Sequence, residues 1–288
     1  MLPGMAAKPN IAIVGAGNLG TALAVSLKRA GYPIESVIAR PKSLKKRQAL
    51  AKQVGARAQL LTSPIKADLV WFCVPDSEIR TVAESFARNA KWKGRVALHS
   101  SGALTSDELN SLRKLGSAVA SVHPLMTFVA RSHPVLAGVP FAIEGDAAAV
   151  RSARKIVRDL GGEPYAIPKR AKAAYHAWGT FASPLLTALL ATNEEVARVA
   201  GVSRSDARRR VIPILLQTLA NYARFGATQG LSGPIIRGDR NTVERHLKVL
   251  ESVPVAREVY RSLANASLKY LPARHKQALR RILASAPH

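Results

Sequence analysis

Short apolar runs alternate with longer amphipathic segments from about residue 9 to residue 167. NIAIVGAG, ESVIAR, ADLVWFCVP, RVALHSSG, AVASVHP and PFAIEGD read as strands, and several are apolar at nearly every position, so both of their faces are expected to be covered. Between them TALAVSLKRAG, SLKKRQALAKQVG, EIRTVAESFARN and AAAVRSARKIVRDLGG carry helical periodicity, several closing on a Gly just past the helix end. This alternation predicts an α/β fold, a doubly wound and mostly parallel Rossmann sheet. After residue 169 the strand signals stop. KRAKAAYHAWGTFASPLLTALLATNEEVARVAG predicts one long helix, and SRSDARRRVIPILLQTLANYARFGATQG a second that Pro213 kinks or starts. LSGPIIRGDR reads as a loop, Asn241 and Glu244 have the spacing of a capping box, and helix continues to the end. The expected organisation is a Rossmann domain over 1–168 and an all-α C-terminal domain over 169–288, with the boundary near Pro168.

Composition narrows the partners. The chain has 288 residues, 48% of them hydrophobic, which is enough for a sizeable core. MLPGMAAKPN has no basic-then-apolar leader pattern, and no apolar run approaches the ~18 residues that span a bilayer, so a soluble, cytoplasmic protein is expected. Cys73 stands alone inside LVWFCVP and reads as a core thiol, and no metal site is expected. A net charge of +25 raises the question of nucleic acid. The excess is spread almost evenly along the chain, and the clusters KSLKKR and RSDARRR lack interleaved aromatics for base stacking. Small anionic ligands fit this surface better than a polynucleotide or a membrane.

Candidate chemistry starts at GAGNLG, where Gly15, Gly17 and Gly20 follow the strand IAIV and open a helix. That context suits a pyrophosphate cradle: Gly15 for the tight turn, Gly17 for close backbone approach, Gly20 for helix–strand packing, with Asn18 and Leu19 opening the helix. The next strand ends without the carboxylate that would bind the ribose of NAD. Arg40 stands there, with Ser43 and lysines after it, so NADP is the expected cofactor. Ligands of open α/β sheets bind beyond the carboxyl ends of the strands. There Val74 and Pro75, the latter followed by an N-capping Asp, are expected to wall the cofactor, and Ser100, Ser101 and His123 to face nicotinamide or substrate. Each of these serines and His123 is equally an ordinary loop residue when taken alone.

VPDSEI, HSSGAL, SVHPLMTF, AYHAWGTFASPLL and SGPIIRGDRNTVERHL together resemble a bacterial family of Rossmann-like proteins with a C-terminal domain of unknown function. More broadly, the chain resembles the superfamily of 6-phosphogluconate and hydroxyacid dehydrogenases, ketopantoate reductases and pyrroline-carboxylate reductases. The resemblance implies a nicotinamide-linked redox role, with a deazaflavin as a possible variant, and no particular substrate. The hydroxyacid branch carries Lys-x-x-x-Asn on the first helix after the Rossmann domain, the lysine serving as acid/base group. Here the spacing is Lys172-x-x-x-His176, one helical face with histidine in place of asparagine. The expectation is an NADP-dependent oxidoreductase of small oxo, imino or hydroxy acids. Lys172 is its proton donor or acceptor, with His176 and His123 orienting the substrate; the alternative for Lys172 and His176 is a packing role. In SGPIIRGDRN, Arg237 either binds a substrate carboxylate or braces the loop with Asp239 and Arg240. The apolar helices of the second domain exceed what one Rossmann face covers, so a homodimer is expected. The competing function is an NADP-binding sensor or scaffold without turnover.

Overall fold

All six predicted apolar runs become strands of a single sheet in the computed structural model, which describes residues 7–130 and 135–285. The strands are β1 (Ile11–Val14), β2 (Ile34–Ile38), β3 (Arg57–Gln59), β4 (Leu69–Phe72), β5 (Val96–His99), β6 (Ala118–Pro124), β7 (Pro140–Gly145) and β8 (Glu163–Ala166). Their spatial order is β3-β2-β1-β4-β5-β6-β7-β8, and every neighbouring pair is parallel except β6 with β7. Strand order therefore reverses between β1 and β4, which leaves a crevice beyond their carboxyl ends. Edge strands β3 and β8 escape the sequence pattern because they are short, partly exposed and, in β8, interrupted by Pro164.

Alternation along the strands loads both faces. Ile11, Ile13, Trp71 and Leu98 pack on one side with α1 (Asn18–Arg29), α2 (Leu44–Val54) and, toward the other end of the sheet, α5 (Ala147–Asp159). Ala12, Val14, Val70 and Phe72 pack on the other with α3 (Asp76–Asn89) and α4 (Asn110–Arg113). Gly55, in the left-handed region at φ 66°, ends α2 as its pattern predicts.

The chain forms two compact units, Met1–Thr180 and Phe181–His288. Pro168 lies past β8, but α6 (Lys172–Ala182) begins inside the first unit, because Lys172 and Tyr175 are both buried there. The predicted long helix is two helices: α6 ends at Ala182, and Pro184, which lacks an N–H, starts α7 (Pro184–Val199) in its first turn. In α8 (Arg204–Gln229), Pro213 neither starts the helix nor breaks it, and the break in helical geometry falls at Gly226, φ 71°. Pro234–Arg237 of the expected loop is a single helical turn, α9. The cap of α10 (Arg240–Val249) is Asp239, whose carboxylate accepts from the Thr242 amide at 3.2 Å; Asn241 already lies inside the helix, so the predicted capping box does not form. Val243 and Leu247 pack with Ala264 and Leu268 of α11 (Pro254–Tyr270) and with Leu279 and Leu283 of α12 (Lys276–Ala284), a core built on i, i+4 pairs. No helix among the described residues is long and apolar enough to cross a membrane.

Candidate functional site

The glycine turn after β1 is closed beneath and open above. Gly15 has φ 112°, and a Cβ on it would strike the backbone carbonyl of Cys73; a Cβ on Gly20 would strike the carbonyl oxygen of Gly15. Nothing lies within 4 Å of where a Gly17 Cβ would stand. Gly17 caps α1 with no side-chain hydrogen bond, and the first turn of the helix contains no acidic residue. The first amides of α1 are thus left for an external acceptor, in a positive dipole end that favours an anion.

Gly15, Gly17, Arg40, Ser43, Val74 and Pro75 line one pocket of about 190 Å³ beside this turn, with Lys46 and Glu78. Arg40 is held by Glu78 at 2.8 Å. Cys73 also lines this pocket, and burial pushes its thiol up to about 12, so it is an unreactive wall. Other predicted cofactor residues turn elsewhere. Asn18 donates to the Phe128 carbonyl at 3.2 Å, Leu19 packs against the core, and Ser100 accepts the Trp71 indole N–H at 2.8 Å.

Lys172 is 1% exposed. Its Nζ donates to the Ser101 carbonyl and to Ser121 Oγ, both at 2.7 Å, and it has no carboxylate partner among the described residues. Burial lowers its pKa to about 8, against a partial restoring pull from Glu144 and Asp76. Asp76 is not the N-cap of α3, a position held by Pro75, but its first helical residue, and its carboxylate accepts from Ser101 Oγ at 2.7 Å. A polar chain Asp76–Ser101–Lys172 thus joins the end of β4, beside the pocket at the glycine turn, to the start of α6.

Around Gly102 the remaining candidates meet. A Cβ there would stand 2.8 Å from His123 Nε2 and collide with His176, whose ring lies edge-on to His123 with centroids 6.1 Å apart. Tyr175 Oη is 2.7 Å from His123 Nδ1. Burial and the Lys172 charge push His123 down to about 3. Behind them His99, fully buried, accepts the Ser101 amide on Nδ1 and faces the Thr105 carbonyl through Nε2, and burial lowers it to about 4. Both imidazoles are neutral at physiological pH. The structure therefore brings Lys172, His123, His176 and Ser101 together. Sequence reasoning passed over Glu78, Gly102, Ser121 and Tyr175, and read Asp76 only as a helix cap. Of these only Tyr175, one turn from Lys172, carried a local signal. Arg237 is exposed, and Asp239 is spent on the α10 cap, so Asp239 does not brace Arg237 by an ion pair.

The family model of a Rossmann-like domain matches residues 5–124, and that of the domain of unknown function DUF2520 matches residues 139–267. Among solved structures the chain is similar to BF3122 of Bacteroides fragilis, provisionally assigned as an NADP oxidoreductase: TM-score 0.76, 21% identity, covering 90% of this chain and 97% of that one. Protein TM1727 of Thermotoga maritima follows at TM-score 0.69 and 23% identity, covering 95% and 98%. A reductive aminase from Aspergillus terreus, solved with NADPH and ethyl-5-oxohexanoate, has TM-score 0.64 and 15% identity, covering 96% and 99%. At these identities the likeness is one of fold. No curated protein matches the chain.

Two outcomes follow from this geometry. Gly20→Ala, with backbone in its way, destabilises by more than about 3 kcal/mol, whereas Gly17→Ala, in open space at φ −79°, changes stability by less than about 1 kcal/mol; urea denaturation compares them. His99 and His123 both bind protons more weakly folded than unfolded. Stability therefore falls as pH drops below the ordinary histidine pKa of about 6.5 toward about 4. Denaturation midpoints across that window decline in the wild type and decline less steeply in His123→Gln.

Proposed function

We propose that the protein is an NADP-dependent oxidoreductase exchanging a hydride between nicotinamide and a small oxo, imino or hydroxy acid. One observation carries this reading: an uncapped glycine turn and a buried lysine without a carboxylate partner stand on the same edge of one sheet, linked through Asp76 and Ser101. The cofactor supplies the hydride chemistry. The backbone amides after Gly17 hold its pyrophosphate, and Arg40, Ser43 and Lys46 face its 2′-phosphate. Ser101 and Ser121 fix two N–H bonds of Lys172, leaving the third for the reacting group. An amine with a pKa near 8 gives up and regains a proton within the physiological range. His123 and His176 flank Gly102 and orient the substrate. The fold shared with an NADPH-bound reductase supports this assignment.

The helical unit supports a homodimer. On α8 only Ala207 is buried, while Ile214, Leu216, Leu219 and Tyr222 are exposed. The near-complete burial of Lys172 favours a second reading, a sensor in which it only braces the HSSG turn.

Turnover separates the two. With NADPH and a panel of small oxo acids, the wild type oxidises NADPH with at least one member, and Lys172→Met lowers kcat by about 10²–10⁴-fold with NADPH affinity retained. A sensor binds NADPH, consumes none, and is indifferent to the substitution. Glu78→Gln removes a negative charge beside the 2′-phosphate position. Calorimetric titration then shows NADPH bound several-fold more tightly and NADH little changed.

A further inference from the structure

His123 has two ring nitrogens with different surroundings. Nδ1 faces inward to the hydroxyl of Tyr175 at 2.7 Å. Nε2 faces the bare backbone of Gly102, at the place where any side chain would stand, with His176 on the far side of the gap, and has no hydrogen-bond partner among the described residues. Tyr175 is 6% exposed, its ring is edge-on to His123 with centroids 5.5 Å apart, and Lys172 Nζ lies 6.0 Å from its centroid. A phenol so buried stays protonated, since burial and then the neighbouring Tyr165 hydroxyl push its pKa up, and of its two polar neighbours His123 Nδ1, at 2.7 Å, is the one in hydrogen-bond contact, so the hydrogen goes there.

Resting on the oxidoreductase reading, we infer that Tyr175 locks His123 in the tautomer protonated on Nε2, and that this N–H, over Gly102, is the hydrogen-bond donor to the oxo oxygen of a carbonyl substrate. His123 is then a catalytic residue and Tyr175 a positioning residue. The imidazole keeps its proton: it polarises the carbonyl, while the proton that balances hydride transfer to carbon comes from Lys172. Such a site selects among the substrates proposed above. A carbonyl oxygen has lone pairs to accept from Nε2–H, whereas a protonated imine has none and would meet the Lys172 cation as well. The reacting group is a neutral carbonyl rather than an iminium. Gly102 is required because a methyl group there would occupy the space in front of Nε2.

The tautomer is read without turnover, by nitrogen NMR of isotope-labelled full-length protein, with the His123 signals assigned by their loss in His123→Gln. The wild type shows a bare Nδ1 and a protonated Nε2, and Tyr175→Phe, which keeps the ring and removes the hydroxyl, gives a mixture of tautomers. A proton on Nδ1 in the wild type, or a spectrum unmoved by Tyr175→Phe, overturns the lock. Turnover with oxo acids and NADPH tests the donor. Glutamine can place an amide N–H near the position of Nε2 and asparagine cannot, so His123→Gln keeps kcat within about tenfold and His123→Asn loses about 10²-fold or more, at equal NADPH affinity. Equal loss in the two variants, or a preference for cyclic imines over oxo acids, overturns the donor role. If the wild type turns over no oxo acid, the oxidoreductase reading and the donor role fall together, while the spectra still decide the lock.

Discussion

The ammonium of Lys172 buried between Ser101 and Ser121 is the constraint around which the first unit is organised. Desolvating a cation is costly unless strong acceptors meet it, and here the acceptors are a backbone carbonyl just beyond β5 and a hydroxyl on β6. The same contact fixes the start of α6 against the sheet edge, and with it Tyr175 and His176. No carboxylate among the described residues touches the amine, and Glu144 and Asp76 act on it only at a distance. The charge is therefore poorly compensated and easily given up, which suits an acid/base group better than a structural ion pair.

A second consequence is electrical. Burial makes it unfavourable for the adjacent imidazoles to ionise, and the one positive charge inside the cluster adds to this, so His123 and His99 remain neutral donors and acceptors with defined partners. Neutral imidazoles hold direction: each nitrogen either gives or takes a hydrogen bond. His99 uses both of its nitrogens to shape the turn that carries Ser101 and Gly102, while His123 keeps one toward the gap. The basic surface of the protein is a separate matter, relevant to ligand approach rather than to this chemistry.

The sequence makes the Rossmann half legible because apolar strands and glycine punctuation are local signals. Gly15, Gly17 and Gly20 stood out by spacing together with the strand before them and the helix after, and Arg40 by its position after β2. What stayed hidden depends on distant pairing. Glu78 enters the pocket beside the glycine turn from α3, Asp76 reaches Ser101 from the end of the neighbouring strand, and Ser121 meets Lys172 across 51 positions of chain. Gly102 carried no signal of its own, and only the approach of two histidines shows why a side chain is excluded. In the helical half, amphipathicity predicted helix but not its interruptions: Pro184 divided one helix, Pro213 was carried inside another, and Asp239 took the cap from Asn241. Those outcomes turn on single backbone groups that periodicity does not register.

The central claim is that the amides opening α1 grip the diphosphate of a phosphorylated nicotinamide dinucleotide beside the Lys172 cluster. Calorimetric titration of the wild-type protein with NADPH and with NADH tests it most directly. The expected result is a single saturable site that binds NADPH more tightly than NADH. Absence of binding heat with both dinucleotides would contradict it.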